Sequence, residues 1–156
     1  MTQQMKKQCP KVLFISSSGG HYEQLKMLKP VMRQYDSRVI TEKLLSAGDA
    51  DYYMIQISHT DKAILFKFSY DMIKAIIIWM KERPDYIVST GSMIVIPFAI
   101  LAKLTRKKIV FIESFAVREK PTLTGKLLYH WADLFIVQWE SLKKVYPNAV
   151  YGGSIY

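Results

Sequence analysis

The sequence predicts an α/β fold: a Rossmann-like parallel sheet covered on both faces. Three observations predict it. Short runs rich in β-branched and aromatic residues alternate with segments of helical spacing along the 156 residues. These runs, such as KVLFI at 11–15 and KIVFI at 108–112, are continuously apolar, as strands buried on both faces must be. Turn-forming Gly, Ser and Thr follow the first and fourth runs, where a strand gives way to a helix.

The elements follow in order. Residues 11–15 form the first strand, which ends in Ser16-Ser17-Ser18-Gly19-Gly20. Over 21–35, Leu25, Leu28, Val31 and Met32 recur at helical spacing, and Pro30 weakens or kinks that helix. A second strand is expected at 37–41, a loop at 44–51 and a third strand at 52–57. A long helix covers 61–82, and Arg83-Pro84-Asp85 introduces a fourth strand at 86–89. Gly91 opens a helix through Leu104, with a kink at Pro97. A fifth strand at 108–112, a helix at 123–131 and a sixth strand at 134–137 follow. A helical piece at 140–146 and a last strand at 149–151 complete the set. No internal repeat or linker divides the chain, so 1–156 reads as one domain. The tail at 152–156 is either an interface strand or disordered.

Composition narrows the function. Half of the residues are hydrophobic, which excludes disorder, and the single Cys9 excludes a disulfide framework or a cysteine-based zinc cluster. The three histidines, His21, His59 and His130, stand far apart and form no metal motif. A net charge of +9 points to an anionic partner: lipid headgroups, a diphosphate or nucleic acid. The basic residues are scattered and no nucleic-acid motif accompanies them, so nucleic acid is disfavoured. The first residues are polar and no apolar run approaches the roughly 20 residues of a spanning helix. The expected location is therefore cytoplasmic, or peripheral on a membrane face.

In an open parallel sheet, ligands bind beyond the carboxyl ends of the strands. Three loops belong to that edge. In Ser17-Ser18-Gly19-Gly20-His21, paired glycines let backbone N–H groups approach a diphosphate, and His21 can act as a base. A plain strand-to-helix turn is the alternative. The spacing is not the dinucleotide fingerprint and no Walker lysine follows, so NAD and ATP are disfavoured. In Ser89-Thr90-Gly91-Ser92 the same small residues recur, with Thr90 or Ser92 equally readable as a helix cap. In Glu113-Ser114-Phe115-Ala116 a carboxylate sits at a strand end, where it meets either a ligand hydroxyl or the nearby Arg118.

The 61–82 segment is apolar around most of its circumference, including Ile77 and Trp79, with Lys67, Lys74 and Lys81 in a narrow polar stripe. The 94–104 segment behaves similarly and ends near Lys103 and Arg106. Apolar surface flanked by cations suits an anionic bilayer interface; burial in the core is the alternative.

SSSGGHYEQL at 16–25, STGS at 89–92 and much of 111–150 carry a resemblance. The last stretch includes Glu113-Ser114-Phe115-Ala116, Pro121-Thr122-Leu123-Thr124-Gly125-Lys126, Ala132-Asp133-Leu134, Val137-Gln138-Trp139-Glu140 and Tyr146-Pro147. Together they resemble the bacterial capsular and exopolysaccharide proteins of the oligosaccharide-biosynthesis family. Eukaryotic members of that family are the membrane-recruiting subunit of a split UDP-N-acetylglucosamine transferase. The resemblance implies the N-terminal half of a GT-B glycosyltransferase that pairs with a donor-binding subunit at the cytoplasmic membrane. Such a pair transfers galactose or N-acetylglucosamine from a UDP-sugar co-substrate, with no other cofactor and no metal, to a lipid-diphosphate-linked saccharide.

Gly19-Gly20-His21, Gly91 and Glu113 are also similar to positions in the transferase that makes peptidoglycan lipid II. That likeness implies that Ser18, Gly19, Gly20, Gly91 and Ser92 face the acceptor diphosphate; Thr90 and Arg118, in the neighbouring loops, are further candidates to bind it. It makes His21 and Glu113 the candidate general bases. The pattern departs from that enzyme where Ser92 follows Gly91 and Ile112 precedes Glu113. Two other readings stand beside this one: a recruiting module that contributes no chemical group, and a stand-alone nucleotide-binding protein.

Overall fold

The computed structural model describes residues 9–43, 50–57 and 62–156. Most of the loop expected at 44–51, residue 61 and His59 lie outside the described residues. The strands are β1 (Lys11–Ile15), β2 (Asp36–Glu42), β3 (Tyr52–Met54), β4 (Tyr86–Ser89), β5 (Lys108–Ile112), β6 (Leu134–Val137) and β7 (Val150–Tyr151). They form one sheet in the order β3-β2-β1-β4-β5-β6-β7, and every pairing is parallel. The chain order reverses between β1 and β4, so the loops after those two strands stand side by side at the carboxyl edge.

The helices are α1 (Gly20–Met27), α2 (Lys29–Met32), α3 (Ile64–Glu82), α4 (Val95–Leu104) and α5 (Leu123–Tyr129), with a 3-10 turn at Glu140–Lys144. The helix expected at 21–35 is two helices, because Pro30 falls in the first turn of α2, where its missing N–H costs nothing. Pro97 likewise sits in the first turn of α4, where its missing N–H removes no intrahelical bond, and the residues from Gly91 to Ile94 form the turn before it. β3 stops at Met54 rather than Ile57. The Ile55 amide donates instead to the Asp71 carboxylate of α3 at 3.1 Å, which removes it from the ladder.

One face of the sheet, with Leu13, Ile15, Ile87 and Phe111, forms a closed core against α3, α4 and α5. On the other face Tyr22 and Leu25 of α1 cover Val12 and Phe14. Beside them, an open apolar groove of about 530 Å³ runs over Val88, Val110, Ile112, Leu134 and Ile136.

The two apolar helices divide. α4 is a core helix, with Val95, Phe98, Ala99 and Ala102 buried and Leu104 exposed at its end. α3 turns apolar residues outward: Leu65 is 78% exposed, Phe66 77%, Ile73 61% and Ile77 56%, while Asp71 and Glu82 are buried. Trp79, expected on the outer surface, is only 8% exposed and packs in the core with Ala75 and Ile78. It lies one position along the helix from Ile78, on the arc that faces the sheet. Among the described residues no helix is long and apolar enough to cross a membrane.

At the amino edge Glu82 accepts hydrogen bonds from Lys11 at 3.1 Å and from the Tyr52 hydroxyl. Burial alone would raise its carboxyl, but these bonds outweigh burial and hold it below its ordinary value.

Candidate active site

The first two loops are stitched together at the carboxyl edge. The Ser17 amide donates to the Gly91 carbonyl at 3.2 Å, and the Thr90 hydroxyl donates to the His21 carbonyl at 2.8 Å. The Gly91 amide turns to the Ser89 hydroxyl at 3.1 Å, and the Gly91–Ser92 peptide is cis. Gly91 has φ of 111°, and a Cβ there would lie 2.8 Å from the His21 ring. Glycine is therefore required both by the backbone and by the imidazole that rests on it.

His21 Nδ1 lies 2.8 Å from the Thr90 carbonyl oxygen. A carbonyl only accepts, so this bond places the proton on Nδ1 and leaves the Nε2 lone pair of the neutral ring for another group. Around His21, a cleft of about 190 Å³ is lined by Gly91, Ser92, Glu113, Thr122, Leu123 and Thr124. His21, Gly91 and Glu113 thus share one edge and one cleft.

The glycine loop opens on the same edge. Gly19 has φ of 74°, and neither it nor Gly20 would place a Cβ within 4 Å of another group. The Tyr22 and Glu23 amides turn back to the Gly19 carbonyl, and no side chain caps α1. The start of α1 therefore presents uncapped backbone and positive helix potential to solvent. Ser18 is committed elsewhere: its amide and hydroxyl both donate to Glu42 Oε2, at 3.3 and 3.1 Å. Burial pushes the Glu42 carboxyl up, against the lowering effect of these bonds, with Asp71 adding to the rise. The Ser92 hydroxyl accepts from the Met93 amide at 2.6 Å, a local turn contact.

Glu113 is 1% exposed and does not pair with Arg118. Its Oε1 accepts from the Ser114 amide at 3.0 Å and its Oε2 from the Tyr146 hydroxyl at 3.0 Å. The Thr122 hydroxyl lies 3.2 and 3.3 Å from the two oxygens. That same hydroxyl oxygen caps α5 by accepting from the Gly125 amide at 2.8 Å. A Cβ at Gly125 would stand 2.0 Å from Glu113 Oε2, so glycine is what lets α5 close over the carboxylate. Burial and the neighbouring Glu113 raise the Tyr146 phenol. The Arg118 guanidinium lies instead over the Trp139 ring, 4.4 Å from its centroid. Lys103 and Arg106 are exposed at the end of α4, near the opposite, amino edge of the sheet.

Sequence reasoning reached His21, Gly91 and Glu113 but missed Glu42, Thr122, Gly125 and Tyr146. A threonine followed three positions later by a glycine at a helix start is a readable cap signal for Thr122. Nothing local announces Tyr146 or Glu42, which reach their partners across the fold. Among the described residues no three His, Cys, Asp or Glu side chains gather at one point.

This sheet order, with a glycine-lined cleft at its switch point, defines the class: a Rossmann-like α/β domain with a ligand-sized cleft at its carboxyl edge. Solved structures agree on the fold. A UDP-N-acetylglucosamine 2-epimerase from Rickettsia bellii superposes with a TM-score of 0.73 at 15% identity, over 94% of this chain and 45% of that one. MurG of Acinetobacter baumannii gives 0.66 at 17% identity, over 85% of this chain and 43% of that one. This chain therefore spans less than half of either structure.

The family described as "Oligosaccharide biosynthesis protein Alg14 like" matches residues 56–155, and the chain belongs to it. Among relatives, the human UDP-N-acetylglucosamine transferase subunit ALG14 is 29% identical over 92% of this chain and 82% of its own length. The subunit of that name from Yarrowia lipolytica is 27% identical over 92% and 80%.

Proposed function

We propose that this chain is the acceptor-binding, membrane-facing subunit of a two-component glycosyltransferase. It would act with a donor-binding partner to transfer a sugar from a UDP-sugar to a lipid-diphosphate-linked saccharide. N-acetylglucosamine is the sugar in the relatives' names; galactose, in capsule or exopolysaccharide assembly, is the narrower alternative. The observation that carries the reading is His21: its Nδ1 is held by the Thr90 carbonyl at 2.8 Å, beside an uncapped glycine loop suited to an anion.

In the proposed reaction the acceptor hydroxyl oxygen attacks the anomeric carbon of the UDP-sugar. A new glycosidic bond forms, the bond from the anomeric carbon to the diphosphate oxygen breaks, and UDP leaves with the electron pair, inverting the centre. The hydroxyl proton passes to His21 Nε2. Gly19, Gly20 and the start of α1 receive the acceptor diphosphate, with Gly91 and Ser92 forming the opposite wall. Glu113, whose oxygens are already supplied with donors, braces that wall.

The exposed α3 stripe lies on the bilayer, with Lys103 and Arg106 against anionic headgroups. The partner subunit covers the open groove over Val110, Ile112 and Leu134.

The test is His21→Ala in the reconstituted pair. Turnover falls by about 100-fold or more while the two subunits still co-purify. Unchanged turnover contradicts the assignment of the base. A second reading, a recruiting module without chemistry, is favoured by the buried Glu113 carboxylate, which is already bonded to Ser114, Thr122 and Tyr146. It predicts that the His21→Ala chain still raises the partner's activity in full.

A further inference from the structure

A second cationic feature stands at the carboxyl edge, outside the His21 cleft. Arg118 is exposed and does not line that cleft. Its guanidinium lies 4.4 Å from the centroid of Trp139. Trp139 is itself fixed: its indole N–H donates to the Phe115 carbonyl at 2.7 Å, and the Phe115 ring packs at 4.8 Å. Tyr156 meets the Phe115 ring edge-on at 5.3 Å. The backbone at Arg118 is held as well, since its carbonyl accepts from the Ser141 hydroxyl at 2.5 Å. Glu119 and Glu140 are close in sequence to Arg118 and Trp139. Even so, no carboxylate among the described residues lies within ion-pair distance of Arg118.

A guanidinium held over a ring in this way keeps N–H groups available to donate to another partner. Those donors form a planar fork that matches a phosphate bidentately, and the fold has already restricted the side chain that carries it. Freezing a long side chain is a main cost of binding, so a pre-stacked arginine binds an anion better than a free one.

We propose that Arg118 is a preformed diphosphate-binding group separate from the His21 cleft, and that Trp139 is its positioning residue. The proposal rests on the transferase reading, in which both reactants carry a diphosphate: the acceptor lipid and the UDP-sugar held across the crevice. The shared chemistry is a diphosphate presented at the carboxyl edge.

The experiment titrates the full chain with pyrophosphate, UDP and farnesyl diphosphate, followed by calorimetry and tryptophan fluorescence. Arg118→Ala weakens binding by about tenfold or more, and Arg118→Lys does not restore it, because the fork is lost. Trp139→Phe keeps a ring under the guanidinium and binds within about threefold of the parent, whereas Trp139→Leu falls toward the Arg118→Ala value. That rescue separates positioning from a general effect on folding. Farnesyl diphosphate binding tighter than UDP identifies the acceptor as the source, and the reverse order identifies the donor. Equal affinity of Arg118→Ala and parent for every probe overturns the proposal, as does the absence of binding by the parent. Gly20→Asp places a carboxylate at the glycine loop and tests the cleft independently. If Gly20→Asp weakens binding and Arg118→Ala does not, the cleft reading stands and this proposal falls. The converse result leaves Arg118 and removes the diphosphate from the cleft.

Discussion

At the scale of single residues, the cleft depends on two close approaches that only glycine permits. Gly91 lets the His21 ring rest on the backbone, and Gly125 lets α5 meet the Glu113 carboxylate. Gly125→Ala would place a Cβ 2.0 Å from Glu113 Oε2 and 2.7 Å from the Tyr146 hydroxyl. The expected cost is about 3 kcal/mol of stability, read by denaturant unfolding, and a neutral result would mean that α5 yields easily. Tyr146→Phe removes a hydrogen bond to a buried carboxylate and should cost about 2 kcal/mol in the same measurement. Ionisation adds a pH signature. Lys107 and the Lys11 amide lower the Asp85 carboxyl, and bonds from Tyr52 and Lys11 lower Glu82 despite its burial. Their folded-state values lie below the unfolded ones, so their contribution is present above about pH 4 and is lost as pH falls further. Glu42 is the opposite case. Burial raises its carboxyl, the folded state binds more protons, and its ionisation weakens the fold as pH rises above the unfolded value. Glu42→Gln should therefore raise the thermal midpoint at pH 8 relative to the parent, with a smaller difference at pH 4. A midpoint that shifts equally at both pH values would contradict this.

At the scale of elements, the strands were the most legible part of the sequence. β1, β4, β5 and β6 are apolar runs bounded by turn residues, and both reading and structure give them the same bounds. What stayed hidden was set by tertiary contacts. Asp71 takes the Ile55 amide and shortens β3, and the side of α3 that faces the sheet is decided by Asp71, Ala75, Ile78 and Glu82 together. An apolar helix shows by periodicity alone that it has two apolar sides, not which of them the sheet takes. Trp79 went to the core and Ile77 to the surface for that reason. The candidate site divides in the same way. His21 and Gly91 belong to local strand-to-helix turns, whereas Tyr146 arrives at Glu113 from a remote segment. The outward face of α3 carries its own prediction. Phe66→Glu and Ile73→Glu each remove an exposed apolar side chain and should weaken binding to anionic vesicles roughly tenfold while leaving the unfolding midpoint unchanged. Undiminished vesicle binding would show that another surface meets the bilayer. On the opposite face of the sheet, Leu134→Glu should weaken association with the partner subunit, measured by co-purification, if the apolar groove is the docking surface.

At the scale of the whole molecule, the chain matches less than half the length of the structures that share its fold. The chain spans 45% of the epimerase and 43% of the MurG structure that share its fold, and its relatives carry the name of a transferase subunit. The carboxyl edge gathers a histidine whose Nδ1 is held by a backbone carbonyl, an uncapped helix start and an arginine lying over a tryptophan ring, on the side where open α/β sheets bind ligands. The apolar stripe on α3 and the groove over β4, β5 and β6 are separate surfaces on opposite faces of the sheet, so the proposed bilayer and partner contacts need not compete for one site. The central claim is that these parts form half of a catalyst, the half that presents the acceptor. The most direct measurement is transfer of N-acetylglucosamine from its UDP donor to a lipid-diphosphate-linked saccharide, assayed with this chain, with its donor-binding partner, and with both. Transfer should require both chains and should collapse in the mixture when His21 is replaced by alanine. Full transfer by either chain alone would contradict the account.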